Sequence, residues 1–239
     1  MVSVLDSRSN APVFSVLDQR RHDGPVYVDN VPVSGGNFSG PHTLFHATTG
    51  YLFDDTPQLS VAAGPRTGSW TAIGTSTQPP ETVDLFAAWI AHDTRPVAYT
   101  VFPARQYPDF VAEAAAPPLR TLCNDAHVSA VQDPARTTSM VAFWAGGGGA
   151  VRLPASAGWP QGALDVASDS AVVAIVDQRA WTVAVADPTQ RLAGARLTFE
   201  LEGPAPAGWG RSATKVVTVV FPATPWAGTS VSLSLVNLD

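Results

Sequence analysis

Five histidines, one cysteine, four glutamates and seven tryptophans are the side chains with which this 239-residue chain could do chemistry or recognise a ligand. His22, His42, His46, His92 and His127 form no paired-histidine motif on a helix and meet no C-x-x-C partner. Pro41 precedes His42 and the segment reads as a strand start, where residues four apart lie on one face roughly 13 Å from each other. That is too far for two ligands of one zinc ion, so no metal and no cofactor is expected. Asp54, Asp55, Asp84 and Asp93 follow no regular calcium loop and read as solvated turn carboxylates. GTSTQ and GTSVS lack the closing glycine of a nucleophile elbow. GGGGAVRL has no lysine and opens a strand, where a phosphate loop needs a helix. Cys123, in LRTLCNDA, reads as a small core residue. Glu200 and Glu202 alternate with Phe199 and Leu201, which suggests the outward face of one strand. None of these groups amounts to a catalytic constellation, and no catalytic residue is assigned.

The tryptophans carry more. Trp89, Trp144 and Trp181 lie inside apolar runs and are expected in the core. Trp70, Trp159, Trp209 and Trp226 sit beside Gly or Pro in loop-like contexts and are the surface candidates, since an indole face can stack on the apolar side of a sugar ring. The segment GPRTGSWTAIGTS, residues 64–76, places Trp70 among glycines and hydroxyl residues just after Arg66. A sheet corner needing a plug and a binding surface both fit that composition.

Bulk properties narrow the partners. Net charge is −6, the 13 arginines are scattered, Lys215 is the sole lysine, and only 14% of residues are charged. No groove that tracks nucleic-acid phosphates is expected from this. The polar surface must come mostly from Ser, Thr, Asn and Gln, which suits carbohydrate or a neighbouring domain. A hydrophobic fraction of 45% supports a sizeable core. One cysteine allows no internal disulfide. Neither a signal-like segment nor a continuous apolar run of ~18 residues occurs, so no membrane partner is expected.

The elements that position these residues are short strands separated by Gly, Pro, Asn and Asp clusters, which predicts an all-β, antiparallel sandwich. APVFSVLDQ (11–19) and GPVYVDN (24–30) flank RRHDG and read as a hairpin; 30–42 reads as loop. TLFHA (43–47) and GYLFD (50–54) flank a tight reversal. QLSVAAG (58–64) follows, and VDLFAAWIAHD (83–93) with RPVAYTVFPA (95–104) reads as an antiparallel pair. YPDFVAEAAAPP (107–118) is the one clear helix, begun at Pro108 and stopped by Pro117 and Pro118. Beyond it come LRTLCND, AHVSAVQD, TSMVAFW, a flexible glycine tip at 146–149, then AVRLPA, SAVVAIVDQ, WTVAVAD, RLTFELEG, TKVVTVVFPA and TSVSLSLV as strands. A boundary is expected at the two prolines, giving residues 1–117 and 118–239.

Five blocks in order, TLFHATTGYLF, GPRTGSWTAIGTS, LFAAWIAHDTRPVAYTVFP, AHVSAVQD and SMVAFWAGG, resemble the carboxyl-terminal portion of polysaccharide lyase family 8, the hyaluronate, chondroitin AC and xanthan lyases. The resemblance covers about residues 43 to 148, and the later strands fit that family's small terminal β domain. It implies part of a large central β-sandwich (a supersandwich) followed by a smaller β-sandwich, extracellular β-elimination of uronic-acid polysaccharides, and catalytic Asn, His, Tyr and Arg supplied by a helical toroid that has no counterpart in these blocks. No catalytic role is therefore carried to His46 or Tyr51. The chain is expected to act as scaffold and cleft wall, with an acidic polysaccharide or a toroid domain as partner; a stand-alone carbohydrate-binding or domain-docking module and an enzyme with unrecognised site residues are the alternatives. In the family reading Trp70 and Ile73 plug a sheet corner, while direct sugar contact by Trp70 stays open. Arg66 contacts an acidic chain or a docking domain, or pairs with Asp54 or Asp55. Gly74 departs from the family, which usually continues S-W-x-x-I with Asn.

Overall fold

The computed structural model describes residues 11–55, 57–93, 95–155 and 161–236, which form two compact units, one ending at Ala116 and one beginning at Pro117. The first unit contains β1 (Phe14–Arg21), β2 (Val26–Val28), β3 (Val31–Val33), β4 (Gly35–Ser39), β5 (Thr43–His46), β6 (Thr49–Phe53), β7 (Gln58–Gly68), β8 (Glu81–Ala91), β9 (Tyr99–Pro103) and α1 (Tyr107–Ala115). They make a four-stranded sheet, β1-β8-β7-β4, and a five-stranded sheet, β3-β2-β5-β6-β9, antiparallel throughout. One buried cluster draws on both: Val26, Val28, Leu44 and Phe53 from one sheet and Leu59, Phe86 and Ile90 from the other. Alternation in β8 explains why. Phe86, Ala88 and Ile90 are fully buried, and Leu85, Ala87 and Trp89 between them face outward.

The five-stranded sheet is covered on its other side by α1, whose Phe110 packs with Phe45 and Phe102. Gly50 makes room for this helix, because a Cβ there would stand 2.1 Å from the Phe110 ring. The β5–β6 hairpin and the helix match the sequence reading. The pairings at 11–30 and 83–104 do not. The bend after β1 continues the β1–β8 ladder, with His22 N–H donating to Asp84 O at 3.0 Å, before Gly24 at φ +75° carries the chain to the other sheet. β8 has β1 on one edge and β7 on the other, so β9 finds its partner in β6. Residues 30–42 hold two strands where a loop was expected: β3 pairs with β2 through a turn at Asp29 and Asn30, and β4 takes the edge beside β7. Edge positions tolerate the glycines and the proline that disguised them.

The second unit contains β10 (Arg120–Asn124), β11 (Val128–Asp133), β12 (Thr138–Phe143), β13 (Gly149–Leu153), β14 (Leu164–Ser168), β15 (Val173–Asp177), β16 (Thr182–Ala186), β17 (Gly194–Leu201), β18 (Thr214–Val220) and β19 (Val231–Ser234). Sheets β10-β11-β12-β15-β16-β19 and β13-β14-β17-β18 enclose a core built around Phe143, Leu164, Leu197 and Phe199. β14 is absent from the sequence reading because LDVAS is short and has only two large apolar residues, Leu164 and Val166. The glycine tip is crowded only in its second half: a Cβ on Gly148 would lie 1.8 Å from Ser168 O, whereas one on Gly146 or Gly147 would meet nothing within 4 Å. Trp209, expected at the surface, is buried at 3% exposure, edge-on to Trp181 at 5.2 Å and beneath the Lys215 ammonium at 5.3 Å, which donates to Leu235 O at 2.6 Å. Trp144, expected in the core, is 52% exposed, with its indole N–H on Ser129 Oγ at 2.9 Å. Trp181 is partly buried against the core, and Cys123 likewise. Trp159 lies outside the described residues.

Asp187 organises the turn after β16. Its carboxylate is buried and accepts from Thr189 N and Oγ1, Arg191 N and Leu192 N at 2.7–2.8 Å. Burial pushes this carboxyl upward, but the four donors outweigh it and hold it at about 2.

Two predictions follow from these contacts. Gly50→Ala drives a methyl into the Phe110 ring and should cost about 1–3 kcal/mol in urea unfolding, whereas Gly146→Ala, which meets nothing within 4 Å, should be neutral within about 0.5 kcal/mol. The low folded pKa of Asp187 contributes stability that is present above the ordinary carboxylate range and lost as pH falls from about 4 to about 2. Thermal melts of Asp187→Asn should show about 1–3 kcal/mol less stability near neutrality and a shallower decline across that acid window.

Candidate functional site

The β7–β8 ladder runs eleven pairs, from Gln58↔Ala91 to Gly68↔Glu81. Its first part covers the core and its last part, Arg66–Gly68 with Glu81 and Thr82, is exposed. Thr67 Oγ1 and Thr82 Oγ1 share a hydrogen bond of 2.7 Å across the tip. Beyond Gly68 the chain closes a single 3-10 turn at Trp70–Ala72, held by Ala72 N on Ser69 O and Ile73 N on Trp70 O, both 3.2 Å. Ser69 Oγ and Thr71 Oγ1 bridge the same turn at 2.6 Å.

This turn does not plug a corner. Trp70 is 55% exposed and Ile73 80%, and with Arg66, Glu81, Val83 and Leu85 they line an open cleft of about 500 Å³. No residue of the turn is buried, so Trp70 and Ile73 stand as walls of the cleft. Arg66, the other sequence candidate, lies in the same cleft. One of its N–H groups donates to Pro65 O at 3.1 Å, and among the described residues its guanidinium pairs with neither Asp54 nor Asp55. An aromatic face, a guanidinium and an apolar floor within one cleft are what a sugar ring bearing a carboxylate needs. At Gly74 a Cβ would stand 3.7 Å from Trp70 O, an ordinary contact, so the backbone does not require glycine in place of the family's Asn.

Val83, Leu85 and Glu81 escaped the sequence reading as site residues, although the alternation of β8 would have placed them on the outer face. Other titratable groups gather between the sheets instead. His46 is fully buried, stacked on Phe86 at 4.0 Å and near His22 at 5.5 Å. Its Nε2 accepts from Asp23 N at 3.2 Å, so Nδ1 carries the proton, and Nδ1 has no hydrogen-bond partner. Burial first, then the charges of Arg20 and His22, against Asp18 and Asp23, press its pKa down to about 4. Tyr51 is also buried; its hydroxyl meets Leu17 O and Asp18 Oδ2 at 3.3 Å, and burial with the Asp18 charge lifts it to about 12. Arg20 pairs with Asp18 and donates to Thr49 Oγ1 at 3.0 Å. These groups are packed in the interior rather than along the cleft. Among the described residues no cluster of three or more His, Cys, Asp or Glu could hold a metal ion.

Residues 1–114 match the family model of the polysaccharide lyase family 8 super-sandwich domain, and residues 120–196 that of the polysaccharide lyase family 8 C-terminal beta-sandwich domain. Similar solved structures include a chondroitinase AC lyase studied as enzyme-oligosaccharide complexes, 23% identical with a TM-score of 0.77 over 94% of this chain and 33% of that one. A Paenibacillus xanthan lyase is 16% identical, TM-score 0.72, over 92% and 23%. The Streptomyces coelicolor A3 chondroitin AC lyase in complex with chondroitin sulphate is 21% identical, TM-score 0.60, over 92% and 29%. At these identities the likeness is one of fold, and the chain spans a third or less of the length of each. No curated protein matches the chain in sequence.

The buried imidazole sets a pH dependence. Because its folded pKa lies below the ordinary 6.5, the unfolded chain takes the proton first, and stability is full above about 6.5 and lost as pH falls to about 4. His92, whose pKa burial also lowers, acts in the same direction. Melting temperature should therefore drop between pH 6.5 and 4, and His46→Gln should flatten that limb; a flat wild-type profile would mean that His46 is not buried as the neutral form.

Proposed function

The chain belongs to polysaccharide lyase family 8, and from that membership we propose that it provides the scaffold and one wall of the cleft in which a uronic-acid polysaccharide of the hyaluronan, chondroitin or xanthan type undergoes β-elimination. The observation that carries this reading is the cleft itself, with exposed Trp70 and Ile73 beside Arg66. Trp70 stacks on the apolar side of a sugar ring. Arg66 holds a carboxylate through paired N–H donors.

Elimination also needs a base for the C5 proton and an acid for the leaving oxygen. In this reading a helical toroid partner supplies both, and the chain binds and orients without catalysing. The interior placement of His46 and Tyr51 supports that division, since neither reaches the cleft. The site of action is extracellular, where such polymers occur; among the described residues no helix is long and apolar enough to cross a membrane.

Incubation of the purified chain with hyaluronan, chondroitin sulphate or xanthan should give no rise in the ultraviolet absorbance of unsaturated uronate, and a rise would refute the non-catalytic role. Affinity electrophoresis in the same polymers should retard the wild type, and Trp70→Ala should weaken the interaction about tenfold, equivalent to ~1.4 kcal/mol. Unretarded wild-type protein would remove the cleft-wall role.

A further inference from the structure

We propose that the polysaccharide site does not end at the Trp70 cleft but continues along the outer face of the β1-β8-β7-β4 sheet to a second aromatic station at Trp89. The inference rests on the cleft reading and extends it from a pocket for one sugar unit to a track for a polyanionic chain of several units.

The two stations share one strand face. Val83 and Leu85 line the cleft, and Leu85, Ala87 and Trp89 follow at two-residue spacing with Phe86, Ala88 and Ile90 buried behind them. Trp89 therefore points to the same side as the cleft floor, about 14 Å beyond Leu85 at the rise of an antiparallel strand. It is flanked by Val16 on β1 and Ser60 on β7. Ser60 Oγ donates to Asn37 Oδ1 at 2.8 Å, which puts a polar edge of hydroxyl and amide beside the indole. Ala87 and Ala62 between the stations keep the floor low, so that a ligand can lie flat.

Charge selects the occupant. At the outward positions of the four strands the charged residues are Arg21, opposite Leu85, Arg66, opposite Val83, and Glu81 at the tip. Two cations against one acid make this face positive on a chain whose net charge is −6. Both cations stand near the cleft end, where a carboxylate-bearing sugar is held, and the face beyond them is uncharged, with the hydroxyl and amide of Ser60 and Asn37 on one side of the Trp89 indole and exposed Val16 and Phe14 on the other. A linear anionic polysaccharide matches that order: charge anchoring at one end, stacking and hydrogen bonding along the rest.

Binding of chondroitin sulphate tetrasaccharide and dodecasaccharide to the full chain, read by calorimetry at two salt concentrations, tests this. The dodecasaccharide should bind about tenfold more tightly than the tetrasaccharide. Trp89→Ala should abolish that difference while leaving the tetrasaccharide unchanged, Trp89→Phe should restore part of it, and Trp70→Ala should weaken both lengths. Arg21→Gln should lower the salt dependence for the longer ligand, and melting curves identify any variant that fails to fold. Equal affinity for both lengths, or Trp89→Ala binding both as the wild type does, overturns the track and leaves the cleft standing. Failure of the wild type to bind either length overturns both. A change in self-association on Trp89→Ala without any change in binding assigns the face to a protein partner and equally overturns the track.

Discussion

The pairing of β8 on both edges is the constraint from which the first unit follows. With β7 on one side and β1 on the other, every residue of β8 has a fixed side, and a shift of one position would exchange buried Phe86, Ala88 and Ile90 for Leu85, Ala87 and Trp89. The eleven-pair ladder with β7 holds that register far past the core. The same fact closes the sandwich and opens the cleft, because the part of the ladder that no longer covers the core is the part that carries Arg66, Val83 and the turn bearing Trp70.

Local signals in the sequence were legible where the partner of a segment is its neighbour. The β5–β6 hairpin and α1 are both specified by a few adjacent residues, and the five family blocks placed the rest of the chain within a β-sandwich architecture. What could not be read was which edge each strand takes. A short polar bend such as RRHDG or HDTRP suits a hairpin and equally suits a crossover between two sheets; the choice depends on β8 being paired with β1 as well as with β7, and β1 and β8 are far apart in sequence. The strands β3 and β4 were hidden by Gly35, Gly36 and Pro32, which an edge accepts and a central strand would not.

The tryptophans show the same limit at the level of side chains. Trp144 follows an apolar run yet extends past the end of its strand, and hydrogen bonding to Ser129 suffices to hold it at the surface. Trp209 is framed by glycines yet lies under Trp181 and Lys215. Composition around an aromatic residue describes its flexibility, whereas its burial is set by what returns from elsewhere in the chain. Trp70 differs in that the surface position expected for it is the one it takes, in a cleft shared with Arg66. The notion of a plug failed because the turn that follows Gly68 carries Trp70 and Ile73 at the surface.

Lys215 is the sole lysine, and its ammonium is engaged with Leu235 O and the Trp209 ring. Side-chain positive charge that can meet a solute therefore resides almost wholly in guanidinium groups. In the proposed role, attraction for a polyuronate is governed by the ionisation of the polymer. The same scarcity means that labelling through lysine would report on the packing of one core aromatic instead of on the surface.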